Sequence, residues 1–232
     1  MANAAAADLV LDTALVKKYD GFGPRYTSYP TADRFHAGVK AEHYVNALAA
    51  RNHERPTAPL SLYVHLPFCN TICYYCACNK VITSNRSRAA PYVQRIEQEV
   101  ARVADLIEGD APVVQVHWGG GTPTFLSQDE MAAVMAALTR AFRFDADTEA
   151  SIEVDPRKVG VDTVKLLRDL GFNRMSVGIQ DFDPAVQHAV NRIQTEAETM
   201  TVIDAARANG FVSVNTDLIY GLPRQTVSGF SA

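Results

Sequence analysis

Leu60-Ser-Leu-Tyr63-Val-His65-Leu-Pro67-Phe-Cys69-Asn-Thr-Ile-Cys73-Tyr-Tyr75-Cys76-Ala-Cys78 joins an apolar run to a loop holding all four cysteines of the chain. A strand that feeds a cysteine loop is suited to hold a group at the end of that strand. Cys69, Cys73 and Cys76 have the spacing C-x3-C-x2-C. Three thiolates from one loop can bind three irons of a cubane cluster and leave the fourth iron open to another ligand. A zinc site is the first alternative, but it wants four ligands, usually as two separated pairs. No second pair exists here, and the nearby histidine is His65. Unliganded core cysteines are the remaining alternative.

Outward from this loop, strands and helices alternate. A helix is predicted from Pro91 to about Ile107, with Tyr92, Ile96, Val100, Val103 and Ile107 on one face. The β-branched run from Pro112 to Trp118 follows it. Ser127 with Glu130 forms a capping box for a helix whose inward residues are Met131, Val134, Met135, Leu138 and Phe142. A strand over Glu149 to Val154, a helix over Val161 to Leu170 stopped by Gly171, and a strand over Arg174 to Ile179 come next. Thr195 with Glu198 caps a further helix ending near Gly210, and the last strand runs from Val212 to Tyr220. Such alternation means βαβ units and a parallel sheet. The fold class is α/β: about five parallel strands of an incomplete (β/α) barrel over residues 59–232, behind an irregular N-terminal arm over residues 1–58. In the arm, a short helix is expected from Leu9 to Tyr19 and another from His43 to Ala50. Gly21 to Thr31 is dense in Gly, Pro and Tyr, hence turns and extended backbone. Gln225 to Phe230 begins one more helix with no closing strand behind it, so a truncated protein is expected.

Ligands of parallel α/β sheets sit at the carboxyl ends of the strands. The unusual residues fall there: the cysteines after the first strand, Gly119-Gly-Gly-Thr-Pro after the second, Glu153 ending the third, Gln180 after the fourth and Asp217 on the fifth. Each has an ordinary reading as well. The glycines make a plain tight turn, or they admit a ligand close to the backbone. Glu153 is a solvated strand end, or an acceptor for hydroxyl and ammonium donors. Arg192 is a surface arginine, or a fork for a carboxylate. Asp217 is flanked by apolar residues, a costly place for a charge without a partner. Tyr63 belongs to the core or to the site, and Cys78 is a buried small hydrophobe or part of the loop's chemistry.

Composition narrows the setting. The chain has 232 residues, 47% hydrophobic and 21% charged, enough for one large core. A formal charge of −4 without a basic block argues against nucleic acid and anionic membranes as partners. The N-terminus has no signal-peptide pattern, and no run is long enough to span a bilayer. Clustered cysteines then point to reduced thiols in the cytoplasm.

C-x3-C-x2-C with an aromatic (Tyr75) before the last cysteine resembles the cluster motif of the radical S-adenosylmethionine superfamily. The segments GPRYTSYPT, LSLYVHLPFC, HWGGGTPTFL, SIEVDPR, GFNRMSVGIQDF and NTDLIYGLP are similar to those of the oxygen-independent coproporphyrinogen III oxidase (coproporphyrinogen dehydrogenase) family. The resemblance covers nearly the whole chain. It implies a [4Fe-4S] cluster on Cys69, Cys73 and Cys76, and two molecules of S-adenosylmethionine. The first would meet Tyr63, Gly120 and Glu153. The second would meet Tyr75, Gly121, Thr122, Gln180, Arg192 and Asp217, with Cys78 nearby but not a ligand of iron. It further implies oxidative decarboxylation of two propionates of coproporphyrinogen III to vinyl groups, giving protoporphyrinogen IX, in a monomer fed by an electron donor such as flavodoxin or ferredoxin. Tyr26 and Tyr29 would lie in an arm covering the site's mouth. Two rival expectations stand beside this one: a haem-binding chaperone on the same barrel, which typically lacks the arm and a cysteine at the place of Cys78, and a fragment without turnover.

Overall fold

The structure is a computed structural model that describes residues 12–21 and 30–231. The chain divides into two compact units, residues 1–44 and 45–232. In the first, helix α1 (Thr13–Tyr19) starts at Asp12, whose carboxylate accepts the N–H groups of Ala14 and Leu15 at 2.9 and 3.0 Å. Lys17 and Lys18 occupy its last turn, where cations favour the helix dipole. Residues 9–11 of the expected helix, most of the GPRYTSYPT segment, and Tyr26 and Tyr29 lie outside the described residues. Helix α2 (Ala41–Glu54) spans the division between the units.

The second unit holds a five-stranded parallel sheet: β1 (Leu60–Leu66), β4 (Pro112–Gly120), β5 (Arg143–Val154), β6 (Arg174–Gln180) and β7 (Ser213–Leu218), paired in that order. A small parallel pair, β2 (Phe68–Cys69) and β3 (Val81–Ile82), closes the base of the cysteine loop. The connecting helices are α3 (Ala89–Leu106), α4 (Gln128–Ala141), α5 (Val161–Asp169), α6 (Pro184–Ala189), α7 (Glu196–Ala208) and the terminal α8 (Val227–Ser231). Strand order equals chain order, so right-handed crossovers put the longer crossover helices α3, α4, α5 and α7 on one face. That arrangement is a partial barrel. Ser127 and Thr195 cap α4 and α7 with full capping boxes, as expected. Gly171, at φ +99°, supplies the left-handed turn that ends α5. Among the described residues no helix is long and apolar enough to cross a membrane.

The sheet is two-sided because side chains alternate along each strand. Val64 and Leu66, Val116 and Trp118, Ile152 and Val154, and Met175 and Val177 face the helices and are buried. They meet Val93, Met131, Val134, Leu138, Val164, Leu167, Val202 and Ala206 from α3, α4, α5 and α7. Trp118 packs edge-on against Phe172, with ring centroids 5.1 Å apart. Each such large side chain contributes roughly 1.5–3 kcal/mol by burial. Two sequence expectations differ in detail. β5 starts at Arg143 rather than Glu149, because Pro112 and Val113 pair with Arg143 and Phe144 before the register shifts. Phe142 lies just past the end of α4, as its extended cap, and still packs half-buried against the core.

Candidate functional site

The cysteine loop is fastened from three sides. The N–H of Val81 donates to Pro67 O at 2.8 Å and that of Thr83 to Cys69 O at 2.9 Å. Lys80 Nζ donates to the carbonyls of Cys76 (2.9 Å) and Cys78 (3.3 Å). Asn191 Nδ2 donates to Ile72 O at 2.7 Å, and Tyr74 N–H to Val190 O at 3.0 Å, tying the loop to the segment after α6. All four cysteines are free thiols; Cys69, Cys73 and Cys76 are half-buried and Cys78 is exposed, which corrects the reading of Cys78 as a buried small hydrophobe. Burial pushes the Cys69 thiol up, against the hydrogen bond with Thr122 Oγ1 at 3.5 Å.

These thiols line an open cavity at the carboxyl ends of the strands. Cys78, Tyr75, Gly120, Gly121, Thr122, Glu153, Gln180, Arg192 and Asp217 line the same cavity. Tyr63 does not, yet it is joined to it. It stands on the helix-free face of β1, 59% exposed, so it is no core residue. Its ring stacks on His117 at 5.8 Å, and its hydroxyl meets His65 Nδ1 at 3.1 Å. His117 in turn contacts Ser151 Oγ (2.6 Å) and Glu153 Oε1 (3.4 Å), while Glu153 Oε2 accepts the Gly120 N–H at 3.1 Å. Glu153 is thus a held carboxylate and not a loose strand end. The His117 hydrogen bond, followed by that of Gly120, holds it below the usual carboxylate range despite burial.

The glycine turn has internal reasons as well as a ligand's. Gly120 sits at φ +115°, and a Cβ there would come 2.7 Å from the His65 ring. A Cβ on Gly121 would lie 2.6 Å from the Pro67 carbonyl. Gln180 ends β6 at φ +70°, an uncommon conformation for a residue with a side chain, of the kind that gathers at functional sites. Asp217 corrects an expectation. β7 is an edge strand, so this carboxylate is exposed and accepts the Ser176 hydroxyl at 3.0 Å, and no costly burial arises. Arg192 corrects another: it is 8% exposed, not a surface residue. Tyr75 packs against the small apolar cluster of Val186, Val190 and Leu222, and burial pushes its hydroxyl up against the opposing charge of Arg192.

Sequence reasoning passed over His117, Ser151, Asp155 and Arg157. Asp155 Oδ2 accepts Arg157 Nη2 at 2.6 Å, and Arg192 Nη2 lies 3.6 Å from Asp155 Oδ1. Burial pushes the Asp155 carboxyl up, but the hydrogen bond from Arg157 and the charges of Arg192 and Arg157 outweigh it and hold it below its usual range. One signal was available: His117, Ser151 and Glu153 occupy strand positions whose side chains share a face with Tyr63.

Among the described residues no three His, Cys, Asp or Glu side chains are gathered to hold one metal ion. The fit to a cluster and its cofactor rests on the donor set. Three free thiols of one loop, a side-chain-free backbone turn and a held carboxylate border one cavity. Arg192 Nε adds a buried donor with no hydrogen-bond partner among the described residues.

Parallel strands with a cysteine loop at the first strand's carboxyl end define the class. Residues 63–231 match the Radical SAM superfamily, and the chain belongs to it. Within that superfamily the chain is 51% identical over 222 residues to the oxygen-independent coproporphyrinogen III oxidase of Pseudomonas aeruginosa, covering 95% of this chain and 48% of the relative. It is 47% identical over 220 residues to the Escherichia coli protein of the same name, covering 95% and 47%. The solved structure of coproporphyrinogen III oxidase (HemN) from Escherichia coli, a Radical SAM enzyme, superimposes with a TM-score of 0.85 at 45% identity, over 95% of this chain and 48% of that one. The resemblance drawn from the motifs is borne out. The chain spans about half the length of the curated relatives it matches.

Proposed function

We propose that this chain is the cluster-bearing half of an oxygen-independent coproporphyrinogen III oxidase, an oxidoreductase of porphyrin and haem biosynthesis. One observation carries the reading: Cys69, Cys73 and Cys76, the Gly120–Thr122 turn and Glu153 border a single cavity at the strand ends, in a chain that oxidase relatives match over 95% of its length. Cys69, Cys73 and Cys76 hold a [4Fe-4S] cluster. When bound, the cluster and S-adenosylmethionine supply an electron and the carbon radical that removes hydrogen from a propionate side chain of coproporphyrinogen III.

The chain's own residues bind and orient. Tyr63, Gly120 and Glu153 serve the first S-adenosylmethionine, with the His117 contact holding the Glu153 carboxylate. Tyr75, Gly121, Thr122, Gln180, Arg192 and Asp217 serve a second molecule, with Cys78 beside it. The count of two comes from the family resemblance; of the residues assigned to the two molecules, all but Tyr63 border one cavity. A flavodoxin or ferredoxin is the expected electron donor, and a cytoplasmic monomer the expected state.

The test is anaerobic reconstitution of the 232-residue chain with iron and sulfide, reduction with dithionite, and assay of methionine and 5′-deoxyadenosine. The parent should form both, and Cys73→Ala should lose iron and the cleavage together. Unchanged iron and cleavage in Cys73→Ala would overturn the reading. Decarboxylation of coproporphyrinogen III is scored separately, beside haem binding by the same preparation.

A further inference from the structure

We propose that Arg157 and Arg192, clasped by Asp155, are positioning residues that direct two guanidinium donors at the sulfur of Cys73 and so set the reduction potential of the cluster this loop holds. The inference rests on the cluster reading above. Arg157 Nη2 lies 3.9 Å and Arg192 Nη1 3.7 Å from Cys73 Sγ, both within reach for a donor to sulfur. The side chains of Asp155, Arg157 and Arg192 are 11%, 15% and 10% exposed. One buried carboxylate therefore faces two buried guanidinium groups. The array keeps one positive charge in excess, and a buried charge without a counter-charge is costly. That excess points at Cys73.

The clasp is specific in geometry. Asp155 accepts from Arg157 Nε at 2.9 and 3.2 Å, from its Nη2 at 2.6 Å and from its backbone N–H at 3.1 Å. Arg192 Nη2, 3.6 Å from Asp155 Oδ1, also donates to Gly178 O at 2.8 Å. Its Nε remains buried without a partner among the described residues, which leaves the array short of acceptors. The other thiols have different neighbours. Cys69 meets the neutral Thr122 hydroxyl, and Cys76 meets Cys78. Cys73 is thus set apart as the thiolate with charged donors.

The consequence follows from electrostatics. Reduction adds one electron, taken from an external reductant, to the cluster and its sulfurs. Donors to a sulfur stabilise the electron-rich state more than the electron-poor one, so they raise the potential. Removing one guanidinium should lower it.

The experiment uses the reconstituted 232-residue chain. Arg157→Gln should shift the one-electron reduction equilibrium by about tenfold against reduction, 59 mV more negative, at unchanged iron content. Arg157→Lys, which keeps the charge and loses the fork, should shift it less. In the unmodified chain labelled with ¹⁵N-arginine, pulsed EPR of the reduced cluster should detect weak nitrogen coupling, and Asp155→Asn should diminish it. A potential unchanged in Arg157→Gln, or no arginine coupling in the parent, overturns the proposal. If a variant loads no cluster, the parent spectrum decides alone. If the parent itself forms no cluster, it is the earlier reading that fails.

Discussion

The two faces of the five-stranded sheet carry the same backbone geometry and opposite chemistry. On the helix-covered face, Leu66, Trp118, Ile152 and Val177 are sealed from water. On the other, Tyr63, His117, Ser151, Glu153, Ser176 and Asp217 form a polar surface linked by hydrogen bonds and stacking. A parallel sheet covered on both sides carries near-continuous apolar strands. Here the strands alternate, because one side must pack helices and the other must stay open for a ligand. Stability is concentrated on the first face and chemistry on the second.

That division can be broken or sharpened by substitution. The largest effect is expected from Phe172→Ala behind Trp118, about 4 kcal/mol by urea unfolding, since Phe172 is fully buried. Asp155→Asn comes next, about 3 kcal/mol at neutral pH, because it leaves two buried guanidinium groups with less counter-charge. Its pH dependence has a definite sign. The folded carboxyl is held below its usual range, so its stabilisation is present above the unfolded value near 4 and is lost as pH falls through the lower folded value. The gap between parent and variant should close on acidification, measured by unfolding at a series of pH values. A gap independent of pH would show that the carboxylate charge is not the cause.

Gly120→Ala should cost about 2 kcal/mol, although it borders the polar cavity, because its φ is positive and the His65 ring occupies the space a Cβ needs. Thermal unfolding with and without a compensating His65→Ala change separates the two contributions. The smallest stability effect is expected of Glu153→Gln, about 1 kcal/mol, since the amide oxygen can still accept the Gly120 N–H while the charged contact with His117 is lost. The same variant should weaken S-adenosylmethionine binding to the reconstituted chain about tenfold, through loss of a charge-assisted acceptor, as measured by equilibrium dialysis. If Glu153→Gln destabilised the fold as much as Phe172→Ala, the separation of the two faces would not hold.

Much of the fold was legible because its signals are local. The capping boxes at Ser127 and Thr195, the glycine stop at Gly171 and the helical spacing of Tyr92, Ile96 and Val100 each act within a few residues. β2 and β3 were not legible: two-residue strands have no periodicity, and their pairing depends on the loop between them. In the site, the cysteines and the glycine turn were visible as unusual spacings. Asp155, Arg157 and His117 were not, because an aspartate, an arginine and a histidine near strand ends are common.

By itself the sequence determined the alternation of strands and helices, the cysteine spacing and the family resemblance, because these depend on local propensity and on residue type at fixed intervals. Only the tertiary structure decided that Arg192 is buried, that Asp217 is exposed and that Asp155 joins two arginines beside Cys73. Those facts depend on which strand lies at the sheet's edge and on which side chains separated in sequence meet across it. Burial and pairing are properties of packed neighbours, and local sequence does not name them.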